Sequence, residues 1–111
     1  MNHVMEQTDQ LVEAIHNSNE YAQYQMLQKA IMKDEGAYGR LNEYRRRNFE
    51  LQMNTQVDAM TESERLRNEY ADILNRTDVK EYLAAEQRYV KMIRLVNQKL
   101  DSCFDIHIEF L

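Results

Sequence analysis

The apolar residues of this chain fall into helical repeats, and the longest repeat occupies the last third. Val79, Tyr82, Leu83, Tyr89, Val90, Ile93, Val96, Leu100, Cys103, Phe104 and Ile108 recur at steps of three and four, the spacing that stacks side chains on one helical face. Asp78 is placed to cap the first free backbone N–H groups, with Glu81 three residues on to reach back to the cap. The pattern predicts one helix from Asp78 to about Phe110. At 1.5 Å per residue it would run roughly 45–50 Å, longer than a compact domain of this size spans. The molecule is therefore expected to be elongated or oligomeric.

Upstream the repeats are shorter. A first helix is expected to begin near Thr8 or Asp9, carry Leu11, Val12 and Ile15 inward, and stop around His16-Asn17. Ser18 or Asn19 would cap a second, with Tyr21, Tyr24, Leu27 and Ile31 along one side. Asp34 restarts the chain, and Tyr38, Leu41, Tyr44 and Leu51 continue a buried face in a third helix over roughly 34–58. Gly36 and Gly39 sit near its start, which implies either a slack first turn or a helix crossing closely there. Thr61 and Glu64 fit a capping box, so a fourth helix is expected from Glu62, with Leu66, Tyr70, Ile73 and Leu74 inside and a break at Asn75-Arg76-Thr77. Short connections favour antiparallel neighbours. The expected fold is an all-α, elongated antiparallel helical bundle of about five helices, two of them long (34–58 and 78–108), in a single domain over residues 1–111.

Composition sharpens this picture. The 111 residues contain no proline and two glycines, which leaves almost none of the turn chemistry that β-hairpins need. Hydrophobic residues make up 43% and charged residues 30%, too apolar for a disordered chain, and no run approaches a membrane span. The first residues lack the basic start and apolar stretch of a signal peptide, and the single cysteine has no internal disulfide partner. Both point to the cytoplasm. A net charge of -5 argues mildly against non-specific nucleic-acid binding.

The order of landmarks resembles a known family, the small bacterial YlbF/YmcA-like, or competence-control, regulators. The residues that carry the resemblance are Ser18-Asn19-Glu20-Tyr21-x-x-Tyr24, then Asp34-Glu35 and Leu41-x-x-Tyr44. Farther on, Leu74-Asn75-x-x-x-Val79-x-x-Tyr82-Leu83-x-Ala85-Glu86 opens the last helix, which continues through Met92-Ile93 to Leu100. Roughly residues 9–104 are covered. The resemblance implies an all-helical cytoplasmic protein that self-associates and binds other regulatory proteins. Some members are implicated in competence, sporulation and biofilm control, within a multi-protein complex that affects RNA processing and carries iron–sulfur clusters through cysteines. A cluster needs several thiolates and this chain has only Cys103, so partner chains would have to supply the rest.

The candidate chemistry is sparse. Cys103 and His107, four residues apart, share a helical face at metal-ligand spacing, but two ligands make half a site. Cys103 is expected to pack as a small hydrophobe. Nucleophile-elbow, phosphate-loop and paired zinc-ligand motifs are absent from the sequence, so no enzyme activity and no cofactor are expected. Arg40, Arg45, Arg46 and Arg47 form the one cluster suited to RNA or an acidic partner, although consecutive helical residues point about 100° apart. Pairing with glutamates such as Glu43 and Glu50 is the favoured alternative. The seven tyrosines suit core or interface edges better than base stacking. These readings converge on a non-enzymatic regulatory or scaffold protein that forms a homodimer or higher homo-oligomer. Its expected contacts are Tyr82, Tyr89, Ile93, Val96, Leu100 and Phe104 on the last helix and Leu41, Tyr44 and Phe49 on the third. The alternatives are an RNA-associated adaptor that uses the arginines and a subunit of an iron–sulfur complex.

Overall fold

The structure, a computed structural model, describes residues 2–54 and 58–104. Among these residues the chain forms six helices and no strand: α1 (His3–His16), α2 (Asn19–Met32), α3 (Glu35–Met53), α4 (Ala59–Glu69), α5 (Ala71–Leu74) and α6 (Thr77–Phe104). The all-α class and the long last helix are as the pattern predicts. α6 is unbroken over 28 residues, about 42 Å. Its expected continuation toward Phe110 lies outside the described residues.

Several helix starts differ from expectation, each for a local reason. α1 begins at His3, well before Thr8, because the Asn2 side chain accepts the Met5 N–H at 2.8 Å. Thr8 lies inside the helix and donates its hydroxyl to the Val4 carbonyl. α3 ends at Met53, and residue 58 belongs to the next helix, where Asp58 caps α4. Its carboxylate accepts from the Thr61 N–H at 3.3 Å and hydroxyl at 2.7 Å, so Thr61 is a first-turn donor and the expected Thr61–Glu64 box does not open the helix. At α6 the Lys80 N–H bonds the Arg76 carbonyl, which sets the cap one turn back from Lys80. Asp78 is then a first-turn anion, favoured there by the helix dipole.

The junction between α1 and α2 is as the sequence suggests. The Ser18 hydroxyl donates to the Ile15 carbonyl at 2.6 Å and accepts from the Tyr21 N–H at 3.2 Å, closing one helix and opening the next. At α3, Asp34 accepts from the Ala37 N–H at 3.1 Å. A β-carbon built on Gly39 would meet nothing within 4 Å, and one on Gly36 only the Asp34 carboxylate at 3.8 Å. The glycines mark a slack helix start, and no close crossing uses them.

The fourth expected helix is broken in two at Tyr70, which has no glycine or proline nearby. Its carbonyl still accepts from Ile73 and Leu74, and its N–H bonds the Leu66 carbonyl, so the interruption wastes few backbone hydrogen bonds. What the break achieves is burial of the Tyr70 ring, only 1% exposed.

The described residues fall into two compact units. One draws on Met1–Gln25 and Ala84–Leu111, the other is Met26–Leu83. In the second unit Ile31, Ala37, Leu41, Leu66, Tyr70, Ile73, Val79 and Tyr82 are all buried, so α3, α4, α5 and the opening of α6 enclose a packed interior. In the first, Ala85 alone is buried among the described residues.

Candidate docking surface

The first unit is held by rings rather than by an aliphatic core. The His16 ring lies 5.1 Å from Tyr21, Tyr21 lies 5.2 Å from Tyr89 in a tilted pair, and Tyr24 stacks on Tyr89 at 5.2 Å. These are ordinary distances for aromatic pairs, each contributing about 0.5–1.5 kcal/mol beyond area burial. Gln25 donates to the Tyr21 hydroxyl at 2.8 Å, which keeps that oxygen satisfied at the cluster's edge.

Beyond this cluster the apolar faces are open. On α6, Val90, Leu95, Leu100 and Phe104 are 36%, 55%, 43% and 61% exposed, and no residue after Ala85 is buried. On α1, Val4, Met5, Leu11 and Val12 are likewise exposed and none of the helix is buried. A groove of about 590 Å³ runs between the start of α2 and the α6 residues Arg88, Lys91, Met92, Leu95, Val96 and Lys99. Its floor is aliphatic and its rim carries cations. Arg88 donates to the Gln23 side chain across it at 3.3 Å.

The nine residues expected to make docking contacts divide by position. Leu41 and Tyr82 are 0% and 2% exposed and belong to the interior of the second unit. Tyr44 is half-buried with its ring 5.5 Å from Tyr70, and Tyr89 sits inside the aromatic cluster. Ile93 and Val96 are half-buried, while Phe49, Leu100 and Phe104 are exposed. Sequence reasoning passed over Leu95 because it lies off the main stripe, yet it lines the groove. Its signal was present in the Arg88-x-x-x-Met92-x-x-Leu95-x-x-x-Lys99 spacing, a second helical row.

The arginines of α3 turn to their own chain. Arg40 forks onto Asp72, with Nε to Oδ2 and Nη2 to Oδ1 both at 2.9 Å, donates to the Glu69 carbonyl, and lies 4.5 Å over the Tyr70 ring. Arg46 pairs with Glu50 one turn on at 3.0 Å, and Arg47 with Glu69 at 2.9 Å. Arg45 lies 5.4 Å over the Tyr82 ring. Beneath them the Tyr70 hydroxyl donates to Glu43 at 2.6 Å and accepts from Arg47 at 3.1 Å. Glu50 thus pairs as the spacing suggests, whereas Glu43 serves the tyrosine. The same pairing moves titrations, since the Arg40 guanidinium holds the Asp72 carboxyl below its usual range. Arg76 bridges two helix starts, to Asp34 at 3.1 Å and Asp78 at 2.8 Å. The Ala37 N–H and then Arg76 depress Asp34, and Arg76 depresses Asp78.

Cys103 is an exposed free thiol on the last turn of α6, not the packed hydrophobe expected. His107 lies outside the described residues. No three of His, Cys, Asp and Glu come together as a metal site among the described residues. One exposed thiol does not fit an iron–sulfur cluster, which needs several. No described helix is long and apolar enough to cross a membrane.

Neither a curated protein nor a solved structure gives a significant match to the chain. One family model does, that of the control of competence regulator ComK, YlbF/YmcA, over residues 4–102. That span runs from the first turn of α1 nearly to the end of α6, through the caps and core positions described above. The chain therefore belongs to the YlbF/YmcA family of competence-control regulators.

Proposed function

We propose that this regulator acts without enzymatic chemistry, as a cytoplasmic scaffold that associates with itself and docks other regulatory proteins through the open faces of α1 and the C-terminal part of α6. The observation that carries the reading is the absence of any buried residue on α6 after Ala85, among the described residues, while its apolar stripe continues to Phe104. A soluble chain rarely keeps so long an apolar row open to water.

Magnitudes indicate how much of that surface is needed. Fully burying a Val, Leu or Phe side chain contributes about 1.5–3 kcal/mol, so four α6 residues roughly half exposed supply on the order of 4 kcal/mol per copy. Two copies give about 8 kcal/mol, against an association cost of roughly 4–15 kcal/mol. α6 alone barely offsets that cost, even with Leu95 counted from a different side of the helix. The four exposed apolar residues of α1 would raise the total to one compatible with a stable complex.

Size-exclusion chromatography with light scattering tests the reading. A dimer or larger species at micromolar concentration is expected, and Leu100→Glu with Phe104→Glu should shift it toward monomer. A strict monomer would count against the proposal.

The RNA-adaptor reading draws less support, because Arg40, Arg46 and Arg47 are committed to Asp72, Glu50 and Glu69. Replacing Arg45, Arg46 and Arg47 together should leave any RNA binding and its salt dependence unchanged. An iron–sulfur role would require thiolates from other chains, and absorbance of anaerobically purified protein tests it.

A further inference from the structure

We propose that α1 of one copy docks in the α2/α6 groove of a second copy, its acidic edge against the groove's cationic rim. The inference rests on the self-association reading above and names its occupant.

α1 is an amphipathic helix with charges of one sign on one side. Val4, Leu11 and Ile15 form one apolar row and Met5 with Val12 flank it, while Glu6, Asp9 and Glu13 follow at i, i+3 and i+7. At 100° per residue these three carboxylates fall within an arc of about 60°, directly beside the Met5 and Val12 edge. α1 carries no lysine or arginine.

The groove shows the complementary arrangement. Met92, Leu95 and Val96 make its aliphatic floor, while Arg88, Lys91 and Lys99 lie within an arc of about 80° on α6, over about 16 Å of helix. The α1 carboxylates span about 10 Å, so a helix laid along the groove with its Met5 and Val12 edge over Leu95 brings the adjoining acidic edge to the rim. Glu20 is the one acidic group lining the groove, which leaves its rim net positive.

The state of these charges supports the match. Arg40, Arg46, Arg47 and Arg76 are each paired within the chain, but Glu6, Asp9, Glu13, Lys91 and Lys99 meet no opposite charge among the described residues. Arg88 holds only the neutral Gln23 amide. An acidic apolar helix and a basic apolar groove, both unsatisfied and both present once per chain, complement each other in a second copy. Reciprocal exchange then closes a two-fold dimer and covers both faces twice.

Charge reversal in the full-length chain tests this. Glu6→Lys with Asp9→Lys and Glu13→Lys should weaken self-association at least tenfold, and so should Arg88→Glu with Lys91→Glu and Lys99→Glu. An equimolar mixture of the two reversed proteins should associate at least tenfold more tightly than either alone, as read by sedimentation velocity at 50 mM salt. Wild-type association should weaken as salt rises to 500 mM. Far-UV circular dichroism checks the helices of each variant, and Glu6→Gln with Asp9→Asn and Glu13→Gln replaces the first triple if it fails to fold.

If the wild type associates but the reversals and their mixture leave its strength unchanged, α1 docking is overturned and self-association through another face stands. A wild type that stays monomeric at 50 mM salt up to millimolar concentration overturns both readings, and the groove then belongs to a different protein.

Discussion

Tyr70→Phe removes one oxygen from the interior of the second unit and keeps the ring, so it isolates the hydroxyl's share in holding α3 against the α4–α5 break. The oxygen donates to Glu43 at 2.6 Å and accepts from Arg47 at 3.1 Å. A hydrogen bond to a charged group is worth about 1.5–3 kcal/mol net, but Glu43 and Arg47 reach solvent and rehydrate once released. The loss should therefore be about 1–2 kcal/mol for the two bonds together. No cavity forms, whereas Tyr70→Ala empties a site only 1% exposed and should cost about 3–5 kcal/mol. With a urea slope of about 1–1.5 kcal/mol per molar, Tyr70→Phe moves the midpoint down by about 1 M. The assay is urea unfolding followed at 222 nm, at one fixed protein concentration because association contributes to apparent stability. Glu43→Gln should account for part of the same loss, so the double variant should fall short of the sum of the singles. A Tyr70→Phe midpoint within about 0.2 M of wild type would refute the assignment of the hydroxyl as a structural tie.

Other expectations are as direct. Gly39→Ala should stabilise the protein by about 1 kcal/mol, since the added methyl meets open space inside α3; a lower melting temperature would show a contact there. Ser18→Ala should destabilise it by about 0.5–2 kcal/mol in thermal unfolding, because one hydroxyl serves two helix ends. Asp34, Asp58, Asp72 and Asp78 are all held below their usual range in the folded chain, by the Ala37 N–H with Arg76, by the Thr61 hydroxyl and N–H, by Arg40 and by Arg76. Their contribution is fully present above the unfolded value near pH 3.9 and is lost as pH falls through the lower folded values. Stability should thus drop below about pH 4, and Asp72→Asn should flatten that drop in acid titrations of the unfolding midpoint. Amide exchange in α1, which has no buried residue, should slow as protein concentration rises if a second copy covers it.

The sequence made the long last helix legible because its period and the lack of glycine or proline agreed over Thr77–Phe104, although the expected cap, Asp78, lies in the first turn. Core positions were readable at Tyr70, Ile73 and Val79, whereas Leu41 and Tyr82, expected among the docking contacts, are buried, because periodicity marks an apolar face without saying what covers it. Ala37 and Ala85 were missed, for a small residue gives little hydrophobic signal even at a buried position; each stands four residues before a stripe residue, Leu41 and Tyr89, which was the available cue. Helix starts went astray where two capping residues competed. Asp58 prevailed over Thr61, and Asn2 over Thr8, because the earlier side chain reached the free N–H groups first. For the surface, periodicity gave the stripe on α6 but not how much of it the chain covers. That depends on where α2 begins along α6, a tertiary fact.

The joint at Tyr70 has a consequence for how this segment behaves on its own. Nothing in the local sequence forbids one continuous helix from Ala59 to Leu74; the break goes with an aromatic ring held by groups on α3. Cut out as a peptide, the segment should lose the break, any residual helix running through residue 70, and within the protein the break reports whether α3 is docked.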